Sequence, residues 1–229
     1  MNTFQELNTT IIACRKCPRL VAWREQVACE KRRAYRDWIY WGKPVPGFGD
    51  PAARVLVVGL APGAHGSNRT GRMFTGDASG DFLYAALHRA GFANQPGTKQ
   101  RDDGLTLQDM FISAVCRCAP PDNRPTPAEI INCLPYLRQE MVLLSRVQVI
   151  VALGHIAFDT ILRLYADHSQ GPGFELQRFN FAHGASYHLG SHHPQLIASY
   201  HPSRQNTQTG RLTPAMLDAV WNSTLALLR

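Results

Sequence analysis

The chain has 229 residues, enough for one globular domain or at most two, and enough to bury a core without disulfide staples. Lys and Arg outnumber Asp and Glu by 24 to 17, a formal net charge of +7, yet charged residues are only 18% of the chain, below the roughly 25% of typical soluble domains. The length argues against a small stapled scaffold, and the charge balance points either to a polyanionic partner such as nucleic acid or to a basic surface that only maintains solubility. No apolar run approaches the roughly 18 to 20 residues needed to cross a bilayer. The opening Met1-Asn2-Thr3-Phe4-Gln5-Glu6 lacks a cationic stretch followed by an apolar one, so a cytoplasmic protein with no membrane contact is expected. In a reducing compartment, six cysteines argue for metal binding, catalysis or burial rather than disulfides.

In chain order, the first fifty residues are basic, with Arg32, Arg33 and Arg36 beside Trp38, Tyr40 and Trp41, and read as a helical lead-in packed on a sheet. Residues 55–58 (Val-Leu-Val-Val) follow the turn signal Gly49-Asp50-Pro51 and read as the first strand. A helix is predicted over 81–88, stopping near Gly91, and a second strand over 110–115. Thr126-Pro127-Ala128-Glu129 is a capping box with proline at the first helical position, opening a helix that runs toward Leu144. A third strand at 147–153 ends at Gly154 and leads into a helix over 155–166; a fourth at 196–200 ends at His201-Pro202; Thr213-Pro214 starts the last helix. Short apolar runs alternating with amphipathic ones predict an α/β fold, a central four-stranded parallel sheet with helices on both faces. No repeat or linker divides the chain, so residues 1–229 are expected to form one domain.

Ligands of such sheets sit beyond the carboxyl ends of the strands. The first strand runs into Gly59-Leu60-Ala61-Pro62-Gly63, where glycines let a backbone approach a flat ligand closely, and Arg69 and Arg72 follow within reach of phosphates. The loop is neither a Walker motif nor a dinucleotide fingerprint, and an ordinary tight turn is the alternative. The fourth strand ends in His201-Pro202-Ser203-Arg204, which places a histidine either in a ligand cleft or in a purely structural role.

Taken together, Gly-Leu-Ala-Pro-Gly at 59–63, Phe-Thr-Gly-Asp at 74–77 and His-Pro-Ser at 201–203 resemble the uracil-DNA glycosylase superfamily. The cysteine pattern, the Asn-Arg-Thr-Gly-Arg-Met run before Phe74 and the Asn-Thr-x-Thr-Gly-Arg-Leu-Thr tail at 206–213 narrow the resemblance to the iron–sulfur family 5, or type B, enzymes. It covers residues 14 to 215 and implies a three-layer α/β/α sandwich, a monomer acting on DNA that contains uracil or other deaminated bases, and use at the nucleoid.

Cys14-Arg15-Lys16-Cys17 brings two thiolates to one face of a turn, and Cys118 and Cys133 supply two more. Four thiolates suit a tetrahedral zinc or a four-iron cluster, unliganded burial being the third reading, and spacing does not choose among them. The resemblance implies a [4Fe–4S] cluster that pins residues 1–50 to the sheet. It also selects Cys118 over Cys116, because the family's ligand directly precedes the proline-containing stretch; Cys29 is left structural.

The resemblance further implies that a flipped base enters a pocket formed by Gly59, Leu60, Ala61, Gly63, Phe74 and Ala114. Phe74 is the stacking aromatic, and His201 stabilises negative charge on the base as the bond breaks. Related families orient the attacking water with an Asp, Glu or Asn in the first motif, where this chain has Leu60 and Ala61. Asp77 is therefore assigned to water orientation or to stabilising the sugar cation, a role compatible with capping a helix that begins near Ser79. Uracil-specific relatives carry an Asn where this chain has Ala114; with Asn123 supplying part of the contact, or acting only as a turn residue, hypoxanthine and xanthine join uracil as expected substrates. Arg204 and Gln205 are expected to enter the DNA stack, Ser203 beside them to bind DNA, and Arg211, Arg69 and Arg72 to touch phosphates, a solvated basic loop being the alternative. No lysine lies in the matching motifs, so no lyase activity is expected. The rival functions are a nucleotide-binding protein and an iron–sulfur DNA-binding or lesion-sensing module without glycosylase activity.

Overall fold

The computed structural model describes residues 3–166, 176–191 and 193–228. Helices α1 (Phe4–Ile12) and α2 (Pro18–Glu30) precede an irregular stretch and β1 (Phe48–Gly49). Then come β2 (Val55–Gly59), α3 (Ser67–Thr70), α4 (Ala78–Arg89), β3 (Met110–Ala114), α5 (Pro127–Leu143), β4 (Val149–Leu153) and α6 (His155–Ala166). The chain closes with β5 (Ser186–His188), β6 (Gln195–Ser199), α7 (Arg204–Gln208) and α8 (Pro214–Leu227).

The sheet has six strands in the order β1-β3-β2-β4-β6-β5. Its inner four are parallel and coincide with the predicted strands to within two residues at either end, while β1 and β5 are antiparallel edges. The four-stranded parallel sheet is thus corrected to a mixed sheet. Both edges escaped notice for one reason: at two and three residues, neither carries an apolar run, and one side of each lies open.

Side chains alternate across the inner strands. Val55, Val57, Ile112, Val151 and Ile197 pack under α4 and α8, whereas Leu56, Val58, Phe111, Ile150 and Leu196 pack under α5 and α6. This builds three layers. The capping box at Thr126 and Glu129 is present, and Thr213 caps α8 in the same way. The helical lead-in is also present: Phe4 stacks on Phe111 of β3 at 5.0 Å, and Leu7 and Ile11 of α1 pack on Tyr136 of α5. The helix after β2 covers one face and the helix after β4 the other, which opens a crevice at the carboxyl ends of these neighbouring strands. Among the described residues, no helix is long and apolar enough to cross a membrane.

Candidate active site

A cavity of about 610 Å³ opens at those carboxyl ends. Gly59, Leu60, Ala61 and Gly63 enter it from the end of β2, Ala114 from the end of β3, and His201 from beyond β6. Phe74 and Asp77 come from the loop between α3 and α4, Asn123 from the 3₁₀ turn Pro121–Asn123, and Ser203, Arg204 and Gln205 from the start of α7.

Phe74 is held in the left-handed backbone region, at φ 50°, a conformation that costs a bulky residue energy and needs support from its surroundings. Two glycines give that support. A Cβ on Gly80 would stand 1.8 Å from the Phe74 carbonyl oxygen, and one on Gly59 would stand 2.8 Å from the ring. So held, Phe74 lies 9% exposed with its ring 5.7 Å from that of His201, the planes inclined by 32°.

Asp77 divides its carboxylate between two surroundings. Oδ1 accepts from the backbone N–H groups of Ser79 at 3.1 Å and Gly80 at 3.0 Å, capping α4, so the predicted cap is real. Oδ2 faces Gly63 and Gly66, where a Cβ would approach to 2.8 and 1.9 Å. Burial raises its pKa above the ordinary carboxylate value, against the opposing pull of the two N–H groups. Burial also lowers the imidazole of His201 to about 4, so it is neutral at pH 7. Its backbone carbonyl accepts from Asn206 Nδ2 at 2.8 Å, which ties the histidine to the first turn of α7.

Two expectations are overturned. Arg69 and Arg72 are each 3% exposed and do not reach solvent, let alone a phosphate. Arg69 donates to the carbonyls of His65 and Gly76 at 2.8 and 2.7 Å, and Arg72 to Thr75, Thr98, the carbonyl of Arg101 and Asp103. A guanidinium ringed by internal acceptors is held inward, because exposing it would strand them. Arg211 is exposed but outside the cavity lining, its guanidinium 4.7 Å from the Tyr200 ring centre. Sequence reasoning missed Ser67, Met73, Ser79, Asp122 and Arg124, all in the lining. Asp122 and Arg124 flank the singled-out Asn123; the left-handed backbone at Asp122 and Asn123, φ 53° and 57°, has no signature in the residue types.

On the far side of α2, Cys14, Cys17, Cys118 and Cys133 line one small cavity together with Leu20, Arg117, Asn132 and Tyr136. Cys118 Sγ accepts from Arg24 at 3.0 Å and Cys17 Sγ from Asn132 at 3.5 Å. Burial raises the Cys17 thiol and pushes Cys118 up to about 12, so the thiolates form only with cationic compensation. That compensation is at hand, since the guanidinium groups of Arg24 and Arg117 are 2% and 1% exposed and retain buried N–H groups with no partner. Soft thiol donors beside buried guanidinium groups that keep unpartnered N–H atoms fit an anionic metal–sulfur group, although Arg117 also pairs with the buried Glu140 carboxylate at 2.5 Å and among the described residues no three His, Cys, Asp or Glu side chains are assembled to hold a metal ion. Cys116 stays outside the cavity and donates its S–H to Cys133, which lowers the Cys133 thiol, while Cys29 is exposed.

A doubly covered sheet with an aromatic, a neutral histidine and a buried carboxylate lining a cavity at its strand ends defines an α/β protein with its candidate site at the carboxyl edge. The chain belongs to the uracil DNA glycosylase superfamily, whose family model matches residues 46–225. It is 55% identical over 208 residues to a type-5 uracil-DNA glycosylase of Thermus thermophilus, covering 90% of each chain. To a type-5 uracil-DNA glycosylase of Mycobacterium bovis it is 54% identical over 217 residues, 94% of this chain and 78% of the relative. A type-4 uracil-DNA glycosylase of Pyrobaculum aerophilum is more distant, 31% identical over 202 residues, 87% of this chain and 82% of that one.

Proposed function

We propose that this chain is a monomeric DNA-repair glycosylase that hydrolyses the N-glycosidic bond of deoxyuridine, and of deoxyinosine and deoxyxanthosine, and leaves an abasic site. The carrying observation is the cavity that Phe74, Asp77 and His201 line together, with the Phe74 and His201 rings 5.7 Å apart. A nucleotide extruded from the duplex places its base on the Phe74 ring, and Ser203, Arg204 and Gln205 at the start of α7 occupy the gap left in the stack. Neutral His201 donates an N–H to the base carbonyl as the C1′–N bond breaks and the electron pair moves to the base. The sugar becomes cationic at C1′. Asp77 Oδ2 faces that charge and orients the water whose oxygen bonds to C1′, its proton leaving with the base or to solvent. Leu60 and Ala61 have no side-chain acceptor for this task, so Asp77 carries it.

The breadth of substrate rests on Ala114. A methyl group neither pairs with nor rejects a particular base edge, so purines with a carbonyl at the reading position are accepted, with Asn123 adding a contact from the rim. Cys14, Cys17, Cys118 and Cys133 hold a [4Fe–4S] cluster, which supplies structural cross-linking of residues 1–50 to the sheet.

Incubation with a uracil-containing oligonucleotide followed by alkali tests the reading: scission at the lesion is expected only after alkali. Scission without alkali would mean lyase activity, and DNA binding with no scission would favour the sensing module. A deoxyinosine duplex left intact while uracil is removed would end the claim of breadth.

A further inference from the structure

Between α2 and β1 the chain carries Lys31, Arg32, Arg33, Arg36 and Lys43, with Asp37 as the one carboxylate among residues 31–43. Arg32, Arg33 and Arg36 are exposed, and among the described residues none of the three is paired with a carboxylate. Ile39, in the same stretch, is 93% exposed. A cluster of unpaired like charges around a bare apolar side chain is unfavourable in isolation, so what holds this segment in place is informative.

Arg69 holds it. Its guanidinium carbon lies 4.0 Å from the ring centre of Tyr35 and 4.1 Å from that of Trp38, and the two rings stand edge-on at 83°, so the cation sits in the corner between them. The same guanidinium donates to Gly76, the residue before Asp77. Trp41 N–H donates to the Arg69 carbonyl at 2.9 Å, Gly42 N–H to the Asn68 carbonyl at 3.0 Å, and Tyr40 Oη meets His65 Nδ1 at 3.1 Å. The segment is thereby docked on residues 65–76, whose neighbours Gly63, Phe74 and Asp77 wall the cavity.

We propose that residues 32–39 form a second DNA-binding surface beside the pocket, in which Arg32, Arg33 and Arg36 hold phosphates of the duplex flanking the extruded nucleotide and Ile39 packs on deoxyribose. The proposal rests on the reading that the chain acts on DNA. Arg69 itself touches no phosphate; it is a positioning residue that aims three arginines outward.

The test is binding to an undamaged DNA duplex at a series of salt concentrations, where no turnover intervenes. Arg32→Gln, Arg33→Gln and Arg36→Gln combined should reduce the slope of log affinity against log salt by about 3, roughly one per phosphate contact. Ile39→Ala should weaken binding a few-fold with the slope unchanged. Arg146→Gln, at the amino end of β4 and so the opposite end of the sheet, should change neither affinity nor slope. A triple variant with wild-type slope and affinity overturns the surface and leaves the functional reading intact, provided wild type releases uracil. A wild type that neither binds DNA nor releases uracil removes the functional reading itself. Tyr35→Ala with Trp38→Ala keeps every arginine but frees the segment; affinity should drop, and affinity equal to wild type would overturn the role given to Arg69.

Discussion

The rings of Phe74 and His201, separated by more than half the chain, meet at 5.7 Å in the lining of one cavity. Gly59 sits behind the Phe74 ring, and a Cβ there would meet it at 2.8 Å. Gly59→Ala should tilt the ring into the cavity and slow uracil release by about 10- to 100-fold, as about 1 Å of misplacement of a substrate-positioning group does. Single-turnover excision beside a urea melt checks it; full activity would show that the ring does not set base position.

Asp77→Asn separates capping from catalysis. Asn caps helices as well as Asp, whereas Asp77→Ala loses both N–H contacts and should cost about 1 kcal/mol. The pKa of Asp77 is raised in the folded state, so the protonated form is favoured there and its contribution to stability is lost as pH rises through the folded value. At pH 7 the Asn variant, free of the buried charge, should melt at or above the wild-type temperature while excision falls at least 100-fold. An Asn variant less stable than the Ala variant would contradict the cap.

His201 makes stability acid-sensitive with the opposite sign. Its imidazole is lowered from 6.5 to about 4 on folding, so the unfolded chain binds a proton that the folded one refuses between those values. Stability from this group is complete above pH 6.5 and is lost as pH falls toward 4, by on the order of 3 kcal/mol. Urea midpoints at pH 7 and at about pH 4.5 should differ more in wild type than in His201→Asn. Equal differences would show that the histidine is not buried as a neutral group.

Iron and acid-labile sulfide content sorts the six cysteines. Ser at Cys14, Cys17, Cys118 or Cys133 should lower both, because each lines the shared cavity. Cys29→Ser should leave them unchanged, and so should Cys116→Ser, since a hydroxyl can replace the thiol that donates to Cys133. Stoichiometric zinc in place of iron would replace the cluster assignment.

The inner strands and four of the helices were legible because their signals are local: an apolar run between Gly, Pro or Asp, helical spacing at 81–88 and 155–166, a capping box at Thr126, a Thr-Pro start at Thr213. The pocket was legible because its residues lie in short contiguous motifs at strand ends. Arg69 and Arg72 were misread because an arginine after a glycine loop looks the same whether its acceptors are phosphates or, as here, the carbonyl of Gly76 and the side chains of Thr98 and Asp103. Thr98 and Asp103 lie 26 and 31 residues beyond Arg72, and only the folded chain brings them to it. The edge strands were invisible because pairing along one side of a two- or three-residue segment leaves no period to read.

Cys14 and Cys17 lie in the first tenth of the chain, whereas Arg117, Cys118, Asn132 and Cys133, which complete their surroundings, come from its middle. A ribosome adding roughly 5–20 residues per second leaves on the order of ten seconds between the two groups. Throughout that interval α1 lacks the α5 surface it packs on, and both thiols face water as free nucleophiles. Closure of this corner therefore waits for the residues from Arg117 to Cys133 to be made.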